Sequence, residues 1–427
     1  MPSLSREKGI IFVMLLLLAA LLQTDSAVER YLAEKDKSVR AKILAEIKAP
    51  MAEVEAELRK PPRRASVEAR GQIVKKKLKT DHVQAIEFEY VLWVPAEYTP
   101  EKTWRLIVSL HGQNGNGDQF IRNWLADVQR EGSTFLLCPS AKRGGWGAST
   151  LGHRYILDSL RDVTATYAID RDLIFLDGAS MGGNGSFQFA CMFPDLFAGA
   201  APRSGGPAFR YVPTGKNDKT VVAEGLPNLV ATPLYWVVGA KDAEVPNAWV
   251  KIAKAQLDVL KSDFTFKEFP DGGHEWFPQE NAPVMAWMAT KRRDAYPVRV
   301  GLETNERAFN RAFWLEISEF TGKELLKRNY LDFDKKTIEE RTLFPERSQA
   351  TGEIVRESNE IKLTVAGARE VRVYLHERMI DIAKPVTVTV NGSKSRFDVK
   401  PSLETLLESA RRDRGLLYSA FVKVRVP

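Results

Sequence analysis

Between residues 83 and 292, short apolar runs alternate with longer stretches whose apolar positions recur at helical spacing. The runs predict strands at 83–94, 104–110, 133–138, 172–177, 197–201, 233–239 and 263–269. Helical periodicity predicts helices at 118–131, 153–168, 181–193, 246–261 and 281–292. Strands that alternate with helical crossovers predict a mostly parallel sheet with helices on both faces. In such sheets ligands bind in the loops that follow the strands.

The pattern changes on either side. Residues 28–80 are rich in Glu, Lys, Arg and Ala, with Leu32, Val39, Ile43, Leu44 and Ile47 at helical intervals and breaks at Pro50, Pro61 and Pro62. This predicts a helical extension, either packed on the central domain or serving as a spacer. Beyond residue 295 strands are expected at 312–317, 361–365, 370–376, 386–390 and 417–426, with a helix at 402–412 and a hairpin turn at Asn391-Gly392. The predicted organisation is a leader at 1–27, a helical extension at 28–80, an α/β domain at 81–295 and a small β-sandwich-like domain at 296–427. Asn391-Gly392-Ser393 also reads as a glycosylation sequon, but the turn is the more economical reading.

Gly178-Ala179-Ser180-Met181-Gly182 carries the strongest chemical signal. It lies between an apolar run, Leu173-Ile174-Phe175-Leu176, and a predicted helix, which is the context of a nucleophile elbow. The sharp turn exposes the serine hydroxyl, and the flanking glycines let backbone pass close by. A serine hydroxyl needs a base and a carboxylate that orients the base. On this kind of elbow they follow in the order serine, acid, histidine. Of the five histidines, His274 and His376 follow Ser180. His376 lies in an alternating strand and reads as structural. His274 lies in the loop Asp271-Gly272-Gly273-His274-Glu275-Trp276 and is the candidate base. The strand Pro233 to Val238 runs into Gly239-Ala240-Lys241-Asp242, which makes Asp242 the candidate acid, with Glu244 as the fallback and Asp271 as a turn residue.

Acyl transfer also needs backbone N–H groups for the developing oxyanion. One is expected from Met181, directly after the serine. The other is expected from Gln113, in the loop His111-Gly112-Gln113-Asn114-Gly115-Asn116-Gly117 that closes the predicted strand 104–110. That loop lacks the Lys-Ser/Thr of a phosphate loop and the G-x-G-x-x-G of a dinucleotide site. His111 is expected to anchor it. Trp146, in Gly144-Gly145-Trp146-Gly147, and Trp276 are candidate substrate-lining rings, each weighed against ordinary packing. Arg203 brings either a charge near the site or a partner for a nearby carboxylate, and the ion pair is the favoured reading.

HGQNGNG, GASMG, GAKD and GGHEW, in that order, resemble the α/β-hydrolase superfamily over residues 83–292, and within it secreted esterases. The likeness is to the feruloyl esterase, polyhydroxybutyrate depolymerase and phospholipase/carboxylesterase groups. It implies a serine hydrolase that cleaves carboxylic esters through an acyl-enzyme, on a small-molecule or polymer-linked substrate. Two alternatives stand beside it. One is a peptidase of the prolyl-oligopeptidase type, which shares the core and triad order. The other is a non-catalytic surface- or carbohydrate-binding protein that uses the C-terminal domain.

Composition narrows the setting. Arg6 and Lys8 precede an apolar run from Gly9 to Leu22, which is short for a membrane span and suited to an export signal. Cleavage after Ala27 would put Asp25 where a small residue is usual, so an uncleaved membrane anchor stays open. Either way the chain is expected outside the cytoplasm, secreted or periplasmic. The net charge of +7 is modest, and its densest cluster, Lys75-Lys76-Lys77 with Lys79, reads as a solvated helix face or linker. No nucleic-acid motif accompanies it. Cys138 and Cys191 read as two buried thiols in preference to a disulfide. No His/Cys/Asp/Glu spacing suggests a metal, and the triad requires neither metal nor cofactor.

Overall fold

The computed structural model describes residues 27–60, 69–80, 86–141, 145–146, 152–213, 219–324, 326–331, 337–412 and 415–427. The expected leader falls almost wholly outside them. Among the described residues no helix is long and apolar enough to cross a membrane.

Residues 27–33 are helical (α1), followed by α2, Lys37–Glu46, and α3, Met51–Arg59. The chain then enters an eight-stranded sheet made of β1 Gln72–Lys79, β2 Glu87–Val94, β3 Trp104–Leu110, β4 Thr134–Pro139, β5 Ile169–Ala179, β6 Gly199–Arg203, β9 Leu234–Gly239 and β10 Phe264–Phe269. A two-stranded hairpin, β7 Phe209–Pro213 with β8 Lys219–Ala223, is inserted after β6. Across the sheet the order is β1-β2-β4-β3-β5-β6-β9-β10, with β1 and β2 antiparallel to their neighbours and the rest parallel. This is the expected α/β-hydrolase arrangement. Helices α4 Gly117–Phe120, α5 Arg122–Glu131, α6 Gly152–Thr166, α7 Met181–Met192, α8 Asn247–Leu260 and α9 Asn281–Ala289 supply the crossovers and flanks.

Strand alternation divides the apolar residues between two layers. Leu106 and Val108 of β3 face Tyr155 and Ile156 of α6, Phe187 of α7 and Leu257 of α8 within one cluster. Ile107, between them in sequence, joins Trp124 and Val128 of α5 and Trp287 and Met288 of α9 on the other side. The central strands are buried on both faces, which is why they read as unbroken apolar runs.

The structure corrects the sequence reading at the start of the sheet. The lysine cluster is not on a helix or linker: it forms edge strand β1, paired residue for residue with β2. Val74, Lys76 and Leu78 are half-buried, whereas Ile73, Lys75, Lys77 and Lys79 are exposed, a period of two that the run of charges conceals. Lys76 is half-buried, and its ammonium reaches Asp162 at 2.7 Å. Lysines along an edge also discourage pairing with other strands. The hydrolase sheet therefore begins at Gln72.

The C-terminal part is a two-sheet sandwich. One sheet holds β11 Arg299–Glu306, β14 Leu326–Leu331, the long β15 Thr337–Val355, β16 Glu360–Ala366, β18 Val386–Val390 and β19 Ser393–Phe397. The other holds β12 Arg311–Ala312, β13 Leu315–Phe320, β17 Ala368–Leu375 and β20 Ala420–Arg425. Leu302, Ile361 and Val388 of the first sheet and Ile317, Val371 and Val422 of the second share one core with Trp314. Asn391 and Gly392 have φ of 49° and 87°, and their strands pair from Val390 to Ser393, the two-residue turn expected. The Asn391 amide is engaged with the Val365 N–H and C=O, each at 2.9 Å.

Among the described residues, the N-terminal helices pack on this module. Tyr31, Ile43 and Val54 share a core with Leu406 and Leu407 of α10, Leu403–Ala410. Glu408 accepts hydrogen bonds from Tyr31 Oη at 2.9 Å and Arg40 Nε at 2.8 Å. His376, buried as expected of a structural histidine, meets Glu55 of α3 at 3.1 Å and stacks on Tyr296. Module and hydrolase domain are in turn locked together. Glu303 N–H donates to Asn228 Oδ1 at 2.6 Å, and a Cβ on Gly301 would lie 2.1 Å from Pro227 O, so β11 runs against the backbone of the hydrolase domain. Cys138 and Cys191 are buried free thiols, and burial pushes both pKa values up.

Candidate active site

Ser180 occupies the single residue between β5 and α7, with φ 58° and ψ −121°. A non-glycine residue there is strained, and such outliers concentrate at functional sites. Its N–H donates to Arg203 O at 3.0 Å, and its C=O accepts from Asn184 N at 2.8 Å. The flanking glycines are required by contact. A Cβ on Gly178 would sit 2.4 Å from Gly182 O, and one on Gly182 would sit 1.9 Å from Leu110 O. Gly182→Ala is therefore expected to push α7 away from β3. Soluble yield should fall sharply, and any folded fraction should melt at least several degrees lower by calorimetry.

Two loops bring the other predicted residues to the serine. Gly239 ends β9, and a Cβ there would lie 2.2 Å from Gly273 O. This close approach lets the two loops zip together through Ala240 N to Phe269 O and Lys241 N to Gly272 O, both at 2.9 Å. Asp242 and His274 are then neighbours. His274 Nδ1 lies 2.9 Å from Asp242 Oδ2, and His274 Nε2 lies 2.7 Å from Ser180 Oγ. The Asp242 side chain is 2% exposed, and its Oδ1 accepts the N–H groups of Glu244 and Val245 at 2.8 and 3.0 Å. A carboxylate so held can orient an imidazole with Nδ1–H toward it, leaving Nε2 to accept the serine proton.

The other acidic candidates sit differently. Glu244 reaches His274 Nε2 at 3.4 Å, on the serine side of the ring, but its side chain is 70% exposed. Asp271 pairs with Lys241 at the surface.

The loop after β3 passes beside the serine: a Cβ on Gly112 would lie 3.9 Å from Ser180 Oγ. Gly115 N–H closes on Gly112 O at 3.2 Å, which puts exposed Gln113 and Asn114 at the tip of a turn. His111 anchors this turn, as expected. It is 1% exposed, Nε2 accepts Ala141 N–H at 3.0 Å, and Nδ1 therefore donates to Gly112 O at 2.7 Å. Burial lowers its pKa, in keeping with the neutral ring that this pattern requires. Met181 opens α7, where the first N–H groups have no carbonyl of their own helix to bond.

Of the two candidate lining tryptophans, Trp146 packs inside and Trp276 is partly exposed. Trp146 is 1% exposed and does not line the mouth of the site. Its Nε1 donates to His111 O at 2.9 Å, and its ring packs edge-on to His111, so it braces the turn from below. Gly144 and Gly147 lie outside the described residues. Trp276 is half-buried, edge-to-face with Phe120 and Trp124, and its ring is covered by the Arg203 guanidinium at 4.0 Å.

Arg203 pairs with Asp177 Oδ1 at 3.2 Å, the favoured reading of that residue. Both side chains are fully buried. Ser204 and Asp177 were not singled out by sequence. A buried-type run ending in an aspartate, Leu176-Asp177, is the signal that would have found the second.

The sheet order and elbow define the fold as an α/β-hydrolase fold. No family model matches the chain. Feruloyl esterase C of Emericella nidulans is 32% identical over 127 residues, 28% of this chain and 46% of that protein. Poly(3-hydroxybutyrate) depolymerase of Ralstonia pickettii is 29% identical over 157 residues, 30% of this chain and 32% of that protein. Among solved structures, a thermostable esterase shares 23% identity with a TM-score of 0.42, covering 52% of this chain and 63% of that one. The chain spans about half, or less, of the length of the curated relatives it matches.

Proposed function

We propose that the protein is an exported serine hydrolase that cleaves carboxylic esters through an acyl-enzyme. The observation that carries this reading is the unbroken run of hydrogen-bonded atoms from Asp242 Oδ2 through His274 to Ser180 Oγ. In the first half-reaction Ser180 Oγ attacks the ester carbonyl while His274 Nε2 takes its proton. Asp242 steadies the imidazolium that forms. The N–H groups of Met181 and Gln113 meet the oxyanion, a contribution worth about a hundred- to a thousand-fold per donor. His274 then gives the proton to the departing alcohol. In the second half-reaction water attacks the acyl carbonyl while His274 takes its proton, and His274 returns that proton to Ser180 Oγ as the acid leaves.

The relatives named feruloyl esterase C and poly(3-hydroxybutyrate) depolymerase support an ester as substrate, free or polymer-linked. Trp276 is the one candidate lining ring that is partly exposed beside His274. The test is a panel of p-nitrophenyl acetate, methyl ferulate, hydroxybutyrate oligomers and matched peptide p-nitroanilides. At least one ester should be turned over at least about 10²-fold more efficiently than its matched anilide. Comparable anilide cleavage would instead place the chain with the peptidases, and failure to cleave any member would leave an inert hydrolase core.

A further inference from the structure

We propose that Arg203 and Ser204, at the end of β6, are positioning residues that hold the base loop in register with the nucleophile. This rests on the reading of Ser180, Asp242 and His274 given above. Arg203 touches both halves of the site. Its backbone C=O accepts the Ser180 N–H at 3.0 Å. Its guanidinium Nη1 donates to the C=O groups of Trp276 and Phe277, two and three residues beyond His274, at 3.4 and 3.1 Å. The same nitrogen reaches Asn281 Oδ1 at 2.7 Å, at the start of α9. Ser204 Oγ holds the residue directly after His274 by both of its backbone groups: Glu275 O at 2.8 Å and Glu275 N at 3.2 Å.

The guanidinium is itself fixed. Trp124 and Trp276 lie against it at 4.9 and 4.0 Å, and Asp177 Oδ1 pairs with Nε. Asp177 Oδ2 accepts from Ser109 Oγ and Trp124 Nε1, both at 2.8 Å. Asp177 lies on β5, three residues before Ser180, so nucleophile strand, β6 and base loop meet at one side chain. Burying a charge is costly, and burial pulls the Arg203 pKa down. An apolar side chain would fill the space more cheaply. The arginine supplies directional donors in a rigid fork, which a lysine cannot reproduce.

The test compares Arg203→Lys and Ser204→Ala with wild type on p-nitrophenyl acetate, with folded active sites counted by fluorophosphonate titration and melting temperatures measured alongside. Ser204→Ala removes one hydroxyl at a residue whose φ of 42° costs alanine about what it costs serine, so it reports even where Arg203→Lys does not fold. The expected result is a fall in kcat per active site of about 10- to 100-fold, with KM within twofold, because a small misplacement of the base is felt in the reacting state. A loss of melting temperature with kcat per active site within twofold of wild type, in Ser204→Ala or in folded Arg203→Lys, overturns the proposal. Ser180→Ala run in parallel separates the two claims. If it loses turnover while the positioning variants keep theirs, positioning alone fails; if it keeps turnover, the hydrolase reading fails first.

Discussion

Ser180→Ala is expected to lower kcat for p-nitrophenyl acetate by at least about 10⁴-fold and to leave the fold intact. The magnitude follows from where the hydroxyl sits. It is the only atom removed, and it lies 2.7 Å from the base that would activate it. The N–H groups of Met181 and Gln113, the proposed oxyanion donors, remain in the variant and account for the residual rate expected of it. Alanine adopts the 58° φ at this position at a cost similar to that of serine, so a large loss of stability is not expected. Stopped-flow and steady-state ester hydrolysis, with circular dichroism on the same samples, check both halves. A variant within tenfold of wild type would mean that another group performs the attack.

Asp242→Asn should cost nearly as much, about 10³- to 10⁴-fold in kcat. An asparagine amide donates toward Nδ1 and favours the tautomer with the proton on Nε2, where it blocks uptake of the serine proton. The neighbouring carboxylate makes this prediction discriminating. Glu244 also reaches the imidazole, at 3.4 Å, but from an exposed position where water competes for every contact. Glu244→Gln is therefore expected to leave kcat within about threefold. Parallel kinetics on the two variants assign the acid: a larger loss for Glu244→Gln than for Asp242→Asn would reverse the assignment.

Much of the site was legible because its chemistry is written into short local patterns. Ser180 is flanked by glycines that cannot carry a Cβ, and Asp242 and His274 each follow a recognisable strand in the order the elbow demands. What was less legible depends on long-range packing. The edge strand β1 hides its alternation because Lys76, a half-buried position, carries a charge whose partner Asp162 lies on a distant helix. The Gly-rich loop around Trp146 leaves lining ring and packing ring both open in the sequence, and packing is decided by an indole N–H committed to His111 O, 35 residues away. Strand β11, Arg299–Glu306, carries only Val300 and Leu302 as large apolar residues and buries the acidic Glu303, whose partner Arg347 stands 44 residues away. The bracing role of Ser204 has no local signature, since it consists of two hydrogen bonds to Glu275.

The docking of the N-terminal helices was not readable for the same reason. Their apolar stripe identifies a buried face but not its partner. The partner is α10, near the other end of the chain, met through Leu406, Leu407 and the shared carboxylate of Glu408.

The most direct measurement is peptide mapping by mass spectrometry after reaction with a fluorophosphonate. Wild-type protein should carry one phosphonyl adduct, on Ser180, formed in step with the loss of ester hydrolysis, and Ser180→Ala should carry none. An adduct on a different residue, or full ester turnover by protein that the reagent leaves unlabelled, would contradict a serine nucleophile at the elbow.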